Sequence, residues 1–546
     1  MRSISIQELK VRLNAQHLRQ DNMVGFAMSF LSLAFGIGIA KVANFPLEAG
    51  IVSGLVGPLA HILRGGSIST IPGSAAALAP ILAAAIATLG KGDYTLGLSR
   101  TLTVIVVTGV LMWIVGNRRK TKYFASYFTH PLSSGMLNAI VWGLTLSSLA
   151  TLMMIKFENR TPLGIIKELA NGRFLEANLM VVGVTLATLT VLILAKLGQK
   201  RYSFLKKYPP ELWAIAFVFG LGLFLPLPEG SRVAISADLT AFHLWPDFDF
   251  VQMWKEGVFN DFCFAVATLF AVDTAESVAN VMTTDNSYTP RRRSNFDKVV
   301  DAMGIANVVG GFLTGMSHIP GAAKGAIAAG LMMMTRWTLV FMVGYTLIWI
   351  LAFREWINQI PLAGLSAIII FSVAKHASLE AWQKARKLGR DQFLVYTATF
   401  VFSIFSGSIF KGLLSGIAAQ LISVLVLLVR VARKQDGING WIDTMRVIWK
   451  LWTDPLVEIF IDDNGVVHVH FTGTWAFFRP LDKVLSDIPS GAKSVVFHVG
   501  PNLHLMDHPT VEKLKDHCAA RDGYALRICE TLKSLSTHEA ATRGRW

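Results

Sequence analysis

Apolar residues gather in long unbroken runs from Val24 to Val431, with polar residues confined mainly to the breaks between them. The runs do not alternate with a period of two, as barrel strands would. Backbone groups inside a bilayer must also be satisfied within the segment itself, so the runs predict membrane helices. Fourteen are expected, at about 24–43, 47–64, 73–90, 97–116, 131–155, 177–198, 211–229, 257–283, 296–315, 321–334, 336–353, 361–375, 391–407 and 410–431. After Lys434 the pattern changes. "LVEIFIDDNGVVHVHFTGTWAFF" reads as two alternating strands around an Asp-Asn-Gly turn, and "KSVVFHV" as a buried strand. "TVEKLKDHCAARDGYALRIC" reads as a helix, a glycine stop and another strand. The expected division is an N-terminal cytosolic segment at about 1–22, a transmembrane domain at about 23–434 and a linker at about 435–454. A small soluble α/β domain at about 455–535 and a tail at about 536–546 follow.

Composition agrees with a polytopic membrane protein: 53% of residues are hydrophobic and 16% charged, where a soluble domain carries roughly 25% charged. The net charge of +15 would suggest nucleic acid in a soluble protein, but its placement reports topology instead. Arg118, Arg119, Lys120 and Lys122 follow the fourth run, and Lys200, Arg201, Lys206 and Lys207 the sixth. Arg291, Arg292, Arg293 and Lys298 follow the eighth, Lys384, Arg386, Lys387 and Arg390 the twelfth, and Arg430, Arg433 and Lys434 the last. All stand after even-numbered runs, so both chain ends are expected in the cytosol and no nucleic-acid partner is implied. The opening "MRSISIQELKVRLNAQHLRQDN" mixes charged and apolar residues and is read as a cytosolic lead-in rather than a cleaved signal. Three cysteines, Cys263, Cys518 and Cys529, exclude a disulfide scaffold and are expected to serve packing. No catalytic triad, metal-ligand spacing or phosphate loop is visible in the linear sequence, so neither an enzyme nor a metal or other cofactor is expected.

One lysine needs a reason. In "LTGMSHIPGAAKGAIAAGLMMM" a Pro-Gly pair opens a short apolar helix that carries Lys324. The first half of the chain holds a matching "TIPGSAAALAPILAAAIATLG". Helices that begin inside the membrane leave their first N–H groups unpaired and present positive dipole ends, so two that face each other make an anion site. The expected substrate-binding residues are Ser74 and Ala75 on one side, Gly321, Ala322, Ala323 and Lys324 on the other, and Asn280 of the eighth helix. Two ordinary close-packed helices, and a Lys324 that neutralises a carboxylate or snorkels, are the alternatives. Asp273, Glu276 and Asn280 fall at i, i+3 and i+7, one face of the eighth helix. Intramembrane carboxylates one turn apart suit proton coupling, whereas one carboxylate beside Thr274 and Ser277 would suit sodium. Glu48 is read as a helix cap, His318 as a hydrogen-bonded loop residue, and Met332, Met333 and Met334 as packing filler.

Three segments carry a likeness to a known family: "FPLEAGIVSGLVGPLAHILRGGSISTIPGSAAALAPILAA", "AESVANVMTTDNSYTPRRRSNFDKVVDAMGIANVVGGFLTGMSHIPG" and the terminal domain. Together they resemble the sulfate permease (SulP) family of anion transporters with a C-terminal STAS domain. Glu48-Ala49-Gly50, Gly65-Gly66-Ser67, Glu276-Ser277, Gly304-Ile305-Ala306-Asn307 and Ile319-Pro320 stand in that family's order. The resemblance implies two inverted seven-span repeats in which half-helices 3 and 10 meet at mid-membrane. It implies a coupling role for Glu276. The family often has an arginine close to the place of Lys324, and a small residue where Asp273 stands. The function implied is secondary active transport of a small anion (sulfate, bicarbonate or a dicarboxylate) by proton symport. A sodium-coupled bicarbonate symporter, an anion exchanger, and a membrane-anchored anion sensor acting through the STAS domain remain open. A lipid-embedded homodimer in a bacterial inner membrane is expected. STAS relatives are switched by phosphorylation two positions beyond an Asp. In Asp507-His508-Pro509-Thr510 a proline holds that place, so a dimerising or trafficking role is expected instead.

Overall fold

The computed structural model describes residues 15–528 except 75, 122–128, 159–160, 203–208, 237–242, 287, 289–291, 293, 374–378, 408, 436–448, 450–456, 463–464, 476–480, 482–483, 486–487, 489–493, 507–509, 512–513, 516–517 and 519–523. The principal elements of the first half are α1 (Ala15–Val42), α2 (Leu47–Arg64), β1 (Ile71–Ser74), α3 (Ala79–Gly90), α4 (Tyr94–Asn117), α5 (His130–Met153), α6 (Leu179–Arg201) and α7 (Pro210–Phe224). Those of the second half are α8 (Phe259–Asn286), α9 (Phe296–Phe312), β2 (His318–Gly321), α10 (Ala322–Gly330), α11 (Trp337–Ala352), α12 (Leu362–Val373), α13 (Arg390–Ser406) and α14 (Ile409–Gln435). Four strands follow: β3 (Val457–Ile461), β4 (Val467–Trp475), β5 (Val495–Met506) and β6 (Tyr524–Ile528).

Among the described residues every expected apolar run holds one of these helices. Five, starting at Gln16, Tyr94, Pro131, Leu179 and Phe259, are long and apolar enough by themselves to cross a membrane. Two runs differ from expectation. The third is a strand, a 3-10 turn at Ala76–Leu78 and then α3, while the tenth is β2 followed by the nine residues of α10. At the N-terminus the polar residues assigned to a lead-in form the first turns of α1. Asp21 there is buried and accepts hydrogen bonds from the backbone N–H groups of Met334 and Thr335 at 2.8 and 3.1 Å and from Thr338 Oγ1 at 2.9 Å. With the Thr335 hydroxyl as a fourth donor, the carboxylate is tolerated although buried.

The chain divides into two compact units: residues 1–121, 137–377 and 404–410, and residues 122–136, 378–403 and 411–546. In the first unit helices approach closely at glycines. A Cβ on Gly50 of α2 would overlap the Gly36 carbonyl of α1, and one on Gly304 of α9 would overlap the Trp113 amide of α4. Small residues let backbones touch where lipid supplies no hydrophobic drive between helices. In the second unit the C-terminal strands form one sheet in the order β3-β4-β5-β6, antiparallel for the first pair and parallel for the others. Its core face consists of Val467, Val469, Phe471, Val495 and Phe497, each at most 1% exposed. The turn before β4 uses Gly465 at φ 76°, with the Gly465 amide bonded to the Asp462 carbonyl at 2.9 Å. The residues 507–509 that precede Thr510, and Cys529, lie outside the described residues.

Candidate functional site

The two Pro-Gly segments meet as a two-stranded antiparallel ribbon. Pro72 faces Pro320, while Ile71 faces Gly321 and Gly73 faces Ile319. Exchanging the two Ile-Pro-Gly triplets leaves that pairing unchanged, which is the local two-fold expected of inverted repeats. Proline has no N–H to donate, so the prolines oppose each other and the flanking pairs carry the ladder. Helix α2 passes directly behind: a Cβ on Gly57 would stand 3.1 Å from Gly73 N and from His318 Cδ2.

Lys324 comes off the first turn of α10 and is buried. It reaches back across the ribbon to the other repeat. A Cβ on Gly73 would lie 2.6 Å from Lys324 Nζ, so that glycine, at φ 156°, is required by its own backbone and by the lysine above it. Ser32 Oγ of α1 is 3.9 Å from the same point and is buried without a hydrogen-bond partner among the described residues. Lys324 itself has neither a hydrogen-bond nor an ion-pair partner among those residues. The alternative in which it neutralises Asp273 or Glu276 is therefore not the arrangement seen. Neither N-terminus is capped by a side chain: Gly321 precedes α10 and Leu78 precedes α3. The orphan amides expected of half-helices are thus left to the ribbon and to whatever enters beside it.

The eighth-helix residues divide. Asp273 is fully buried and accepts from Ser317 Oγ at 2.6 Å, Asn307 Nδ2 at 2.8 Å and Ser277 Oγ at 3.4 Å. Asn307 Oδ1 in turn accepts from the His318 amide at 2.6 Å and stands 3.1 Å from its Nδ1. This chain of hydrogen bonds ties α8 and α9 to the start of β2. Asn280 Nδ2 donates to the Pro320 carbonyl at 2.9 Å, fixing the ribbon from the same helix face. Glu276 is 2% exposed, and its Oε1 has no partner among the described residues. Thr274 Oγ1 and His318 Nε2 share that condition. Buried polar atoms are almost always hydrogen-bonded, so each of these orphans is an atom whose missing partner water or an ion can supply.

Of the residues expected to form the site, Ser74 lies buried in β1 opposite His318, and Gly321 ends β2. Ala322 and Ala323 open the α10 backbone. Ala75 lies outside the described residues. Three expectations are corrected. Glu48 does not cap its own helix but accepts the Ser236 amide at 2.9 Å. His318 is a buried strand residue rather than a loop residue. Cys263 is exposed and Met332 is 65% exposed, so neither packs a core. Ser32, Asn307 and Ser317 were missed. Ser32 has no neighbourhood motif to betray it, while Asn307 was visible only as the end of a quoted motif.

Comparison with known proteins bears on the whole helical region. The model of the sulfate permease family matches residues 18–399. A probable sulfate transporter of Mycobacterium tuberculosis (strain CDC 1551 / Oshkosh) is 22% identical over 446 residues, covering 78% of this chain and 73% of that one. The transmembrane domain of a cyanobacterium bicarbonate transporter, BicA, superposes with a TM-score of 0.62 at 18% identity, over 74% of this chain and 99% of that one. The murine solute carrier 26 family member A9 anion transporter, in its inward-facing state, superposes with a TM-score of 0.66 at 15% identity, over 96% of this chain and 87% of that one.

Proposed function

The chain belongs to the sulfate permease family, and from that premise we propose that it is a secondary active transporter whose anion site lies at the ribbon. Members of this family are transporters, so the polar cluster is read as a binding site and not as a catalytic one. The observation that carries the proposal is Lys324, a buried cation that has no counter-charge among the described residues and leans across Gly73 toward the first repeat. Isolated buried charges are costly, and an anion bound between Lys324, Ser32 and the uncapped amides removes that cost. Ser74 and Gly321 line the approach as small residues, and Asn280 positions the ribbon rather than gripping the substrate.

Glu276, whose Oε1 is buried without a partner, is the coupling residue in this reading and carries a proton. Asp273 serves it indirectly by holding Asn307 and Ser317 in place. A sodium-coupled alternative rests on the orphaned Thr274 Oγ1, two residues before Glu276 on the same helix. Sulfate and bicarbonate are the first substrates to test. The basic residues after even-numbered helices support cytosolic ends, and the chain is assigned to a bacterial inner membrane as a homodimer. The terminal sheet is assigned as a STAS domain.

Uptake of labelled sulfate and bicarbonate into liposomes holding the purified protein tests the proposal. Lys324→Met keeps the apolar stem and removes the charge. Loss of a charged hydrogen bond worth about 1.5–3 kcal/mol corresponds to affinity lowered by about tenfold to a hundredfold, more for a divalent than a monovalent anion. Unchanged affinity in a folded Lys324→Met protein places the site elsewhere. Anion-dependent change in the protein without any uptake would favour a sensor.

A further inference from the structure

The C-terminal sheet carries a second cluster of side chains that transport leaves unused. His468 and His470 alternate along β4 with the buried Val467, Val469 and Phe471, so both stand on the face away from the core. The parallel register sets His498 of β5 opposite His470, and the antiparallel register sets Phe460 of β3 opposite His468. Phe460 stacks on both β4 histidines at 5.1 Å, and His470 stacks on His498 at 4.3 Å with 17° between the planes. All three histidines are half-buried, and one ring nitrogen of each lies within 4.8 Å of the other two.

The hydrogen-bond order within the cluster is informative. His468 Nε2 lies 3.3 Å from Asp462 Oδ2, and His468 Nδ1 lies 2.8 Å from His498 Nε2. A carboxylate only accepts, so in the neutral ring Nε2 of His468 carries the proton and Nδ1 presents a lone pair. That lone pair points at His498, and a single proton sits between the two nitrogens. An imidazole oriented by a carboxylate through one nitrogen while the other faces further imidazoles is the arrangement that supports a metal ligand from behind. We propose that His468, His470 and His498 bind one divalent metal ion of the zinc class on the open face of this sheet, with Asp462 fixing the His468 tautomer.

The ion replaces the proton between His468 and His498, which is released to solvent. Zinc–nitrogen bonds of about 2.0–2.1 Å in a tetrahedron separate ligand nitrogens by about 3.3 Å. Reaching that value requires the stacked His470 and His498 rings, now 17° from parallel, to turn about their side-chain torsions until their nitrogens converge. The half-exposed face leaves the fourth position to water. Three imidazoles select zinc, copper, nickel or cobalt over magnesium and calcium, which require oxygen ligands. The packing explanation, in which four rings merely cover the sheet, predicts no such selectivity.

The test uses the full-length protein in detergent with any affinity tag removed. Zn²⁺ is titrated against a chromophoric chelator, and Cu²⁺ electron paramagnetic resonance counts the coordinating nitrogens. One ion per chain, a signal from three imidazoles and no competition from Mg²⁺ are expected. His470→Phe and His498→Phe keep a ring in the stack and lower Zn²⁺ affinity at least a hundredfold. Asp462→Asn lowers it about tenfold while the stoichiometry stays at one. If a Phe variant does not fold, His470→Gln replaces it. Absence of stoichiometric Zn²⁺ binding, a copper signal from fewer than two imidazoles, or equal affinity in the wild type and the folded variants overturns the proposal. None of these outcomes depends on anion uptake.

Discussion

The triplets Ile71-Pro72-Gly73 and Ile319-Pro320-Gly321 are identical and paired with each other, yet the chain that leaves them differs. After the first comes a 3-10 turn at Ala76–Leu78 and then α3, which has no charged residue. After the second, α10 begins at once and bears Lys324 on its first turn. The far ends are alike again. Arg100 donates to the Leu89 carbonyl near the end of α3 at 2.9 Å, and Arg292 donates to the Met333 carbonyl just past α10 at 2.8 Å. A cation at a helix C-terminus complements the dipole. Scaffold features are therefore doubled, whereas the charge at the centre is single. The glycine of one repeat makes room for the lysine of the other.

This asymmetry can be broken most severely at the glycines. Gly73→Ala puts a Cβ 2.6 Å from Lys324 Nζ at a φ that alanine rarely adopts. Anion uptake by the reconstituted protein should fall at least a hundredfold. Gly321→Ala meets Lys324 Cε at 2.6 Å but has an ordinary φ of −81°, so the flexible side chain yields and a loss under tenfold is expected. Equal losses would show that the two glycines are equivalent and that the backbone conformation of Gly73 does not set the difference.

A smaller effect separates coupling from binding. Glu276→Gln keeps size and hydrogen bonding but cannot carry a proton. Accumulation driven by an inward proton gradient should vanish while exchange of the anion across the liposome persists within about threefold. Concentrative uptake by the variant as external pH falls would remove Glu276 from the coupling role.

The smallest effect lies at the outer end of α3. There Arg100 also pairs with Glu256 at 2.7 Å and Asp247 at 3.2 Å. The hydrogen bond from Arg100 holds the Glu256 carboxyl below the usual glutamate range. A depressed folded-state value contributes stability above the unfolded value, and that contribution is lost as pH falls through the folded one. Melting temperature should therefore drop below about pH 4.3 more in the wild type than in Glu256→Gln. Parallel acid profiles for the two proteins would show that this pair does not matter to folding.

The helical architecture was legible because apolar runs and basic breaks record the bilayer directly. The ribbon was not. "TIPG" and "HIPG" announce a helix start, and only the contact between repeats turns each into a strand, since a four-residue strand has no periodicity to read. Lys324 was visible as a lone charge, but its reach to Gly73 depends on a long-range pairing. Glu48 looked like a cap because it stands at a helix start, and its actual partner, Ser236, is remote in sequence. The histidine cluster is half legible in the same way. His468 and His470 show the spacing of one strand face, while His498 arrives from a neighbouring strand.

The proposed anion site would also make the substrate part of the folded structure. A buried ammonium with no partner among the described residues, together with orphaned polar atoms, destabilises the native state relative to the unfolded chain, where all are hydrated. An anion that fits restores the balance, and mass action adds about 2.7 kcal/mol at a hundredfold excess over Kd. Heat resistance in detergent should accordingly rank anions in the order in which they bind, and Lys324→Met should flatten that ranking. The choice of salt in the purification buffer becomes a structural variable rather than a convenience.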